Sequence, residues 1–313
     1  MPLVWIFSAA AFLIGLLFGS FLNVCISRLP EHGSVVKPRS RCPKCGAGIR
    51  WYDNVPLLSW VLLRARCRDC KAAISWRYPV VELAFALWFL AVIALCIRAS
   101  LVGMYVQMPV AQNVQIVLSG LSLAILGFLL IGLMVMDWQT MRLPDAFTLW
   151  GIFIAMMLVC VQAAFLAPGQ DQIVLDTTHQ LRMTGPGSFM AHGNIFMTGP
   201  EALIFGRLAE VCGAALILLL VRWGYKALRH RDGLGLGDVK LLAMIAAFLG
   251  LGQAILALFL GVLGAAVYGV FLLARRRAKG TTKLAFGSFL CAGGLVAALF
   301  GNPLIEMYMG LFR

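Results

Sequence analysis

Four of the nine cysteines stand in two pairs, Cys42-Pro-Lys-Cys45 and Cys67-Arg-Asp-Cys70, with 21 residues between them. Two such knuckles can present four thiolates at the corners of a tetrahedron, the preferred geometry of structural zinc. A site closed by four sulfurs leaves no open position, so the metal would fold the segment rather than act on a substrate. Gly46, directly after the first pair, suits a turn that aims backbone amides at the sulfurs. Lys44 and the neighbouring arginines favour the thiolate form and offset the charge of a four-thiolate centre. The competing reading is two disulfides, which a cytoplasmic location disfavours. The other five cysteines (Cys25, Cys96, Cys160, Cys212 and Cys291) lie in or at the ends of apolar runs and read as small hydrophobes.

Three acids lie beside apolar runs, where a carboxylate is costly and therefore a functional candidate. Asp137 ends the run Ile125–Met136, Asp145 follows Leu143-Pro144, and Asp238 follows Gly233-Leu234-Gly235-Leu236-Gly237. Two carboxylates that share one proton can hydrolyse an amide: the ionised one activates water and the protonated one polarises the carbonyl. Asp137 and Asp238 come from different apolar segments and are the candidate pair. Gly235 and Gly237 would let backbone or substrate approach closely. Each acid also has a plainer reading. Asp145 suits the first turn of a helix, Asp238 an N-cap, and Asp137 a pair with Arg142. Lys240 either stabilises charge near the site or snorkels to the interface. Glu82, just inside an apolar segment, is a buried acid with no assigned role.

These residues need a scaffold, and composition names its class. Of 313 residues, 61% are hydrophobic and 12% charged, against about 25% charged in a soluble domain. The expectation is an all-α polytopic membrane protein. Apolar runs of roughly 20 residues are the unit, and about eight transmembrane helices emerge near 3–24, 79–98, 114–136, 145–166, 203–223, 238–252, 253–274 and 284–311. The sixth is short and is expected to be tilted or continuous with a bent seventh. The N-terminal run lacks a basic flank and a cleavage site, so it reads as a retained helix.

The net charge of +13 does not imply nucleic-acid binding, because the positive residues cluster in short loops. Segment 25–78 has eleven Lys or Arg against three acids. Basic residues also follow the fifth helix (Arg222, Lys226, Arg229, Arg231) and the seventh (Arg275 to Arg277, Lys279, Lys283). The positive-inside rule places these loops in the cytoplasm and both termini outside. The expected organisation is a first helix over 1–24, a cytoplasmic zinc-binding insert over 25–78, and a membrane core over 79–313 with an external loop at 167–202. Both candidate aspartates then fall at cytoplasmic helix mouths. No inverted repeat of the transporter kind is present.

The order of motifs resembles the type IV prepilin peptidases. Gly19-Ser20-Phe21-Leu22-Asn23-Val24 runs on to Arg28-Leu29-Pro30. The two cysteine knuckles, Asn54-Val55-Pro56-Leu57-Leu58-Ser59-Trp60 and Arg77-Tyr78-Pro79-Val80-Val81-Glu82 follow. Asp137 then precedes Leu143-Pro144-Asp145, and Gly235-Leu236-Gly237-Asp238 precedes Val239-Lys240-Leu241-Leu242. The resemblance covers residues 19 to about 250. It implies a bacterial inner-membrane aspartic protease of the G-x-G-D type, acting on the basic leaders of prepilins and of type II secretion pseudopilins. It further implies methylation of the new N-terminus with S-adenosylmethionine, associated with the insert. Asp137 and Asp238 match the family's catalytic acids, and Cys42, Cys45, Cys67 and Cys70 match its zinc ligands.

Two departures stand out. Many relatives have an acid two positions after the first catalytic one, where this chain has Gln139, and segment 167–202 is longer than usual. The alternatives are a leader peptidase without methyl transfer and, from another class, a non-catalytic zinc-containing transporter or assembly scaffold.

Overall fold

The computed structural model describes residues 2–31, 33–37, 39–106, 110–170, 173–175, 181–183, 200–229, 235–275 and 284–311. His32, His179, His192, His230, Arg231, Gly233, Leu234 and the basic residues from Arg276 to Lys283 lie outside them. All eight expected apolar segments fold as helices: α1 (Pro2–Arg28), α3 (Arg77–Val106), α4 (Val110–Thr140), α5 (Asp145–Gln170), α6 (Pro200–Arg229), α7 (Leu236–Leu249), α8 (Leu251–Ala274) and α9 (Phe286–Gly310). The short helix α2 (Leu58–Leu62) belongs to the insert. The described residues between α5 and α6 form a two-stranded antiparallel ribbon, β1 (Ile173–Leu175) with β2 (Leu181–Met183). Several helices run past the expected apolar limits, because the backbone hydrogen-bond ladder continues into the flanking polar residues.

Among the described residues, seven helices are long and apolar enough to cross a membrane. The eighth, α7, has 14 residues and is about 21 Å long, short of a hydrocarbon core about 30 Å thick. It is also separate from α8. Gly250 takes φ +93° between them, a conformation that side chains resist. Arg207 of α6 reaches this break and donates to the Ala246 carbonyl at 3.4 Å, placing a cation at the C-terminal end of the α7 dipole.

The shortness of α7 goes with its position. It packs against α4, α5, α6, α8 and α9, and every residue from Leu241 to Ala247 is buried. A helix apolar on all sides is stable only when surrounded, and α7 is the centre of the bundle. The outer helices meet one another through close contacts at small residues. Gly15 and Gly19 of α1 sit four apart on one face and abut the backbone of Ala86 and Glu82 of α3; a Cβ at either would stand 2.7 Å from a Cα. In α9, Gly293 abuts the Ala257 carbonyl of α8. Between helices in lipid, such close packing replaces the hydrophobic drive that water supplies elsewhere.

Candidate active site

Asp137 lies one turn before the end of α4 and is 5% exposed. Its Oδ2 accepts two hydrogen bonds from one residue of α9: the Ser288 amide at 2.7 Å and the Ser288 hydroxyl at 3.0 Å. Ser288 stands in the first turn of α9, where backbone N–H groups have no partner in their own helix. The carboxylate therefore caps a helix 151 residues away in sequence, at the positive end of its dipole. The pair with Arg142, the plainer alternative for Asp137, is not among the ion pairs of the described residues.

Asp238 is in the first turn of α7, where Gly235 is the N-cap. Asp238 is thus the third residue of the helix rather than its cap, and its Oδ2 accepts the Gly235 N–H at 3.3 Å. It is half-buried. Gly237, next to Asp238, and Gly287, against Asp137 Oδ2, both close on Leu143, so the two aspartates come to one space. Leu143 closes the space around them: a Cβ at Gly287 would stand 3.1 Å from its Cδ1 and 3.0 Å from Asp137 Oδ2, and a Cβ at Gly237 3.1 Å from the same Leu143 atom. Two glycines and one leucine so bring the α4–α5 turn, α7 and α9 together. That turn is held by Met141, whose left-handed φ of +51° lets its N–H reach the Asp137 carbonyl at 2.8 Å. Cys291 is fully buried one turn beyond Ser288.

The other acids are committed elsewhere. Asp145 begins α5 and pairs with Lys240 of α7 at 2.7 Å. Both side chains are exposed to a third or more, and such a pair contributes about 0–1 kcal/mol. Glu82 of α3 is buried, and its Oε2 accepts the Leu57 N–H at 2.8 Å. Leu57 has φ +57° and ψ −50°, and the Leu58 N–H bonds back to the Pro56 carbonyl at 2.6 Å. This is a strained γ-turn, and Glu82 holds it against the membrane helix. Gln139 accepts a hydrogen bond from Arg77 at 2.7 Å. The residue that replaces the extra acid thus ties the end of the insert to the helix that carries Asp137.

The insert is built on two similar loops. Arg41 bridges to Gly48 and Arg66 to Ala73. Cys42 and Cys67 each donate N–H to a residue five positions on, Ala47 at 2.9 Å and Ala72 at 2.8 Å. The left-handed position in the first loop is Gly46 (φ +71°); in the second it is Lys71 (φ +57°). All four sulfurs lie within 4.8 Å of one another, and Cys42 Sγ is 3.8 Å from Cys70 Sγ. A tetrahedron with zinc–sulfur bonds of 2.3 Å has edges of about 3.8 Å, so the four thiols fit one tetrahedral metal ion. All four are free thiols, against the disulfide alternative. The backbone amides of Cys45 and then Lys44 pull the Cys42 thiol down to about 6, while Cys45, against the pull of the Ala47 amide, is pushed up to about 11 by the neighbouring thiols. Asp53 clamps the second loop through two hydrogen bonds from Arg68, at 2.9 and 2.6 Å. That guanidinium holds the Asp53 carboxyl below its ordinary value.

Sequence reasoning missed Ser288, Leu143 and Leu57. The available signal for Ser288 was a hydroxyl in Phe286-Gly287-Ser288 at the opening of the last apolar run. For Leu57 nothing in the residue type announces a positive φ.

Residues 13–96 match the Bacterial Peptidase A24 N-terminal domain, a stretch holding all four paired cysteines and Glu82. Residues 183–270 match the Type IV leader peptidase family and include Asp238, while Asp137 falls between the two stretches. The chain is similar to proteins named prepilin leader peptidase/N-methyltransferase. One from Aeromonas salmonicida (strain A449) is 30% identical over 98% of this chain and 95% of its own length. One from Myxococcus xanthus (strain DK1622) is 34% identical over 89% and 67%, and one from Pseudomonas aeruginosa is 30% identical over 97% and 93%. No solved structure matches. With two matched regions in order, and relatives 30% identical aligned over 95% and 93% of their own length, the chain belongs to the type IV leader peptidase family.

Proposed function

We propose that this chain removes the leader from prepilins and pseudopilins by aspartate-dyad hydrolysis, and then methylates the new N-terminal amine. The observation that carries the reading is the approach of Asp137 and Asp238 from two helices onto one space rimmed by Gly237, Leu143 and Gly287. Water held between the carboxylates attacks the scissile carbonyl. One carboxylate takes the water's proton and the other donates to the carbonyl oxygen, giving a tetrahedral intermediate with no acyl-enzyme. Collapse returns a proton to the leaving amine. Because Asp137 Oδ2 is occupied by Ser288, its Oδ1 is the oxygen free for water. S-adenosylmethionine, when bound, would supply the methyl group to the freed amine nitrogen, its sulfonium leaving as a neutral thioether as the amine gives up a proton.

Sidedness supports this substrate. Seven spans alone would set the termini on opposite sides. The charge rule assigns the basic segments after α1, α6 and α8 to the cytoplasm of a bacterial inner membrane, which requires α7 and α8 together to enter and return. A prepilin with a basic leader inside and an apolar helix in the bilayer presents its junction at that level. Zinc is the metal we assign to Cys42, Cys45, Cys67 and Cys70. It would hold the insert, which we assign to methyl transfer.

The test is purified full-length protein with a prepilin and a labelled methyl donor. Cleavage with label on the new N-terminus is expected. No cleavage overturns the reading, and cleavage without label leaves a peptidase alone. Ser288 is a positioning residue here. Ser288→Ala removes one of two bonds to Oδ2 and keeps the amide; we expect kcat to fall about tenfold, with KM unchanged and an altered pH profile, and Ser288→Thr to restore most of it. An unchanged kcat and pH profile in Ser288→Ala would remove Ser288 from the mechanism.

A further inference from the structure

The second cysteine loop, beside the four-cysteine centre, borders a cavity of about 520 Å³. Leu62, Leu63, Arg64, Arg66, Cys67, Arg68 and Lys71 line it. Four of these seven are cations. Arg68 is neutralised by Asp53; among the described residues Arg64, Arg66 and Lys71 have no ion-pair partner. The backbone is strained to make this arrangement. Arg64, Ala65 and Lys71 all take left-handed φ, at 50°, 57° and 57°, and none is glycine. Of these, Arg64 and Lys71 line the cavity, and strain of this kind collects at ligand sites. The volume is in the range of small-ligand pockets.

Position in the fold identifies the ligand. Leu57 is bonded to Glu82, five residues into α3 and so about 7.5 Å along it. The helix α2 follows directly, which holds it at the depth where a membrane span begins. Its Leu58, Val61 and Leu62 are exposed, Leu62 by 71%. Trp76, beside the first residue of α3, is 70% exposed, as interfacial tryptophans are. The second loop is tied to this level through Trp60 Nε1, which donates to the Ile74 carbonyl, and Ile74 N–H, which donates to Ala65. An exposed apolar edge at the acyl boundary, with three unpaired cations behind it, matches a molecule with apolar chains and an anionic phosphate head. The leader of a prepilin is basic and would be repelled.

We propose that this cavity binds the phosphate headgroup of an anionic phospholipid, with the exposed side chains of α2 entering the acyl layer. The site goes beyond leader cleavage and does not depend on it. In the test, metal-loaded full-length protein in detergent is titrated with phosphatidylglycerol, phosphatidylcholine or inorganic phosphate, and bound lipid is counted by native mass spectrometry. Phosphatidylglycerol is expected to bind at least tenfold more tightly than phosphatidylcholine. Arg64→Gln with Arg66→Gln should lower that affinity tenfold or more, at about fivefold per charge. Lys71→Gly removes a cation while suiting its left-handed backbone, so it keeps the fold and the metal content and should cost about fivefold. Lys37→Gln with Arg39→Gln changes charge outside the cavity and should cost less than twofold. Equal binding of both lipids, equal loss in the Lys37/Arg39 variant, or full displacement of phosphatidylglycerol by millimolar phosphate would each overturn the proposal.

Discussion

Asp137→Asn and Asp238→Asn should each lower leader cleavage by about 10³-fold or more, and the double variant should be no worse than either single one, because a dyad acts as a unit. Asparagine keeps the shape and, through its oxygen, the bonds Asp137 accepts from Ser288, so the fold is retained. The control is Asp145→Asn. It breaks one exposed pair with Lys240, worth at most about 1 kcal/mol, and cleavage should change less than threefold. Single-turnover cleavage of a prepilin measures all four. Methyl transfer to a substrate already cut should survive both dyad substitutions, separating loss of chemistry from loss of structure. Substantial cleavage by either single variant would end the dyad assignment.

Stripping the metal should unfold the insert and leave the membrane core standing. The insert has little apolar core of its own: Trp51, Leu58, Val61, Leu62 and Trp76 are all exposed. What holds its two loops is the convergence of four sulfurs. Structural zinc in such peptides supplies about 10–16 kcal/mol, more than a segment of this size could supply by burial. The dyad, by contrast, is assembled by α4, α7, α9 and the α4–α5 turn, none of which lies in the insert. Chelation, or Cys42→Ser with Cys70→Ser, should raise amide hydrogen exchange across residues 40–74 to near the unfolded rate while that of α7 is unchanged. Methyl transfer should fall more than tenfold. Cleavage should fall less, by about threefold, through the lost Arg77–Gln139 contact at the end of α4. Protected amides in 40–74 after complete metal loss would show that the insert folds without a metal.

Much of the molecule could be read one residue after another, and the reason is that the physics there is local. Hydropathy over roughly 20 residues decides a span, and all eight apolar runs are helices. The cysteine loops close within ten residues through their own turns, so C-x-x-C spacing was enough to identify them. Even the weak member was visible: the sixth run was short, and α7 is short because five helices surround it.

The pairing of side chains was another matter. Nothing in the spacing of three aspartates says which two converge. That was decided by where glycines let helices touch, with Gly237 and Gly287 both closing on Leu143, and by contacts spanning 151, 95 and 25 residues: Ser288 to Asp137, Lys240 to Asp145, and Leu57 to Glu82. The four cysteines and the two catalytic candidates were legible as residue types in order. Ser288, and the strained Leu57 held by Glu82, belong to the tertiary structure alone, because a hydrogen bond across the bundle depends on packing distances that no periodicity along one helix encodes.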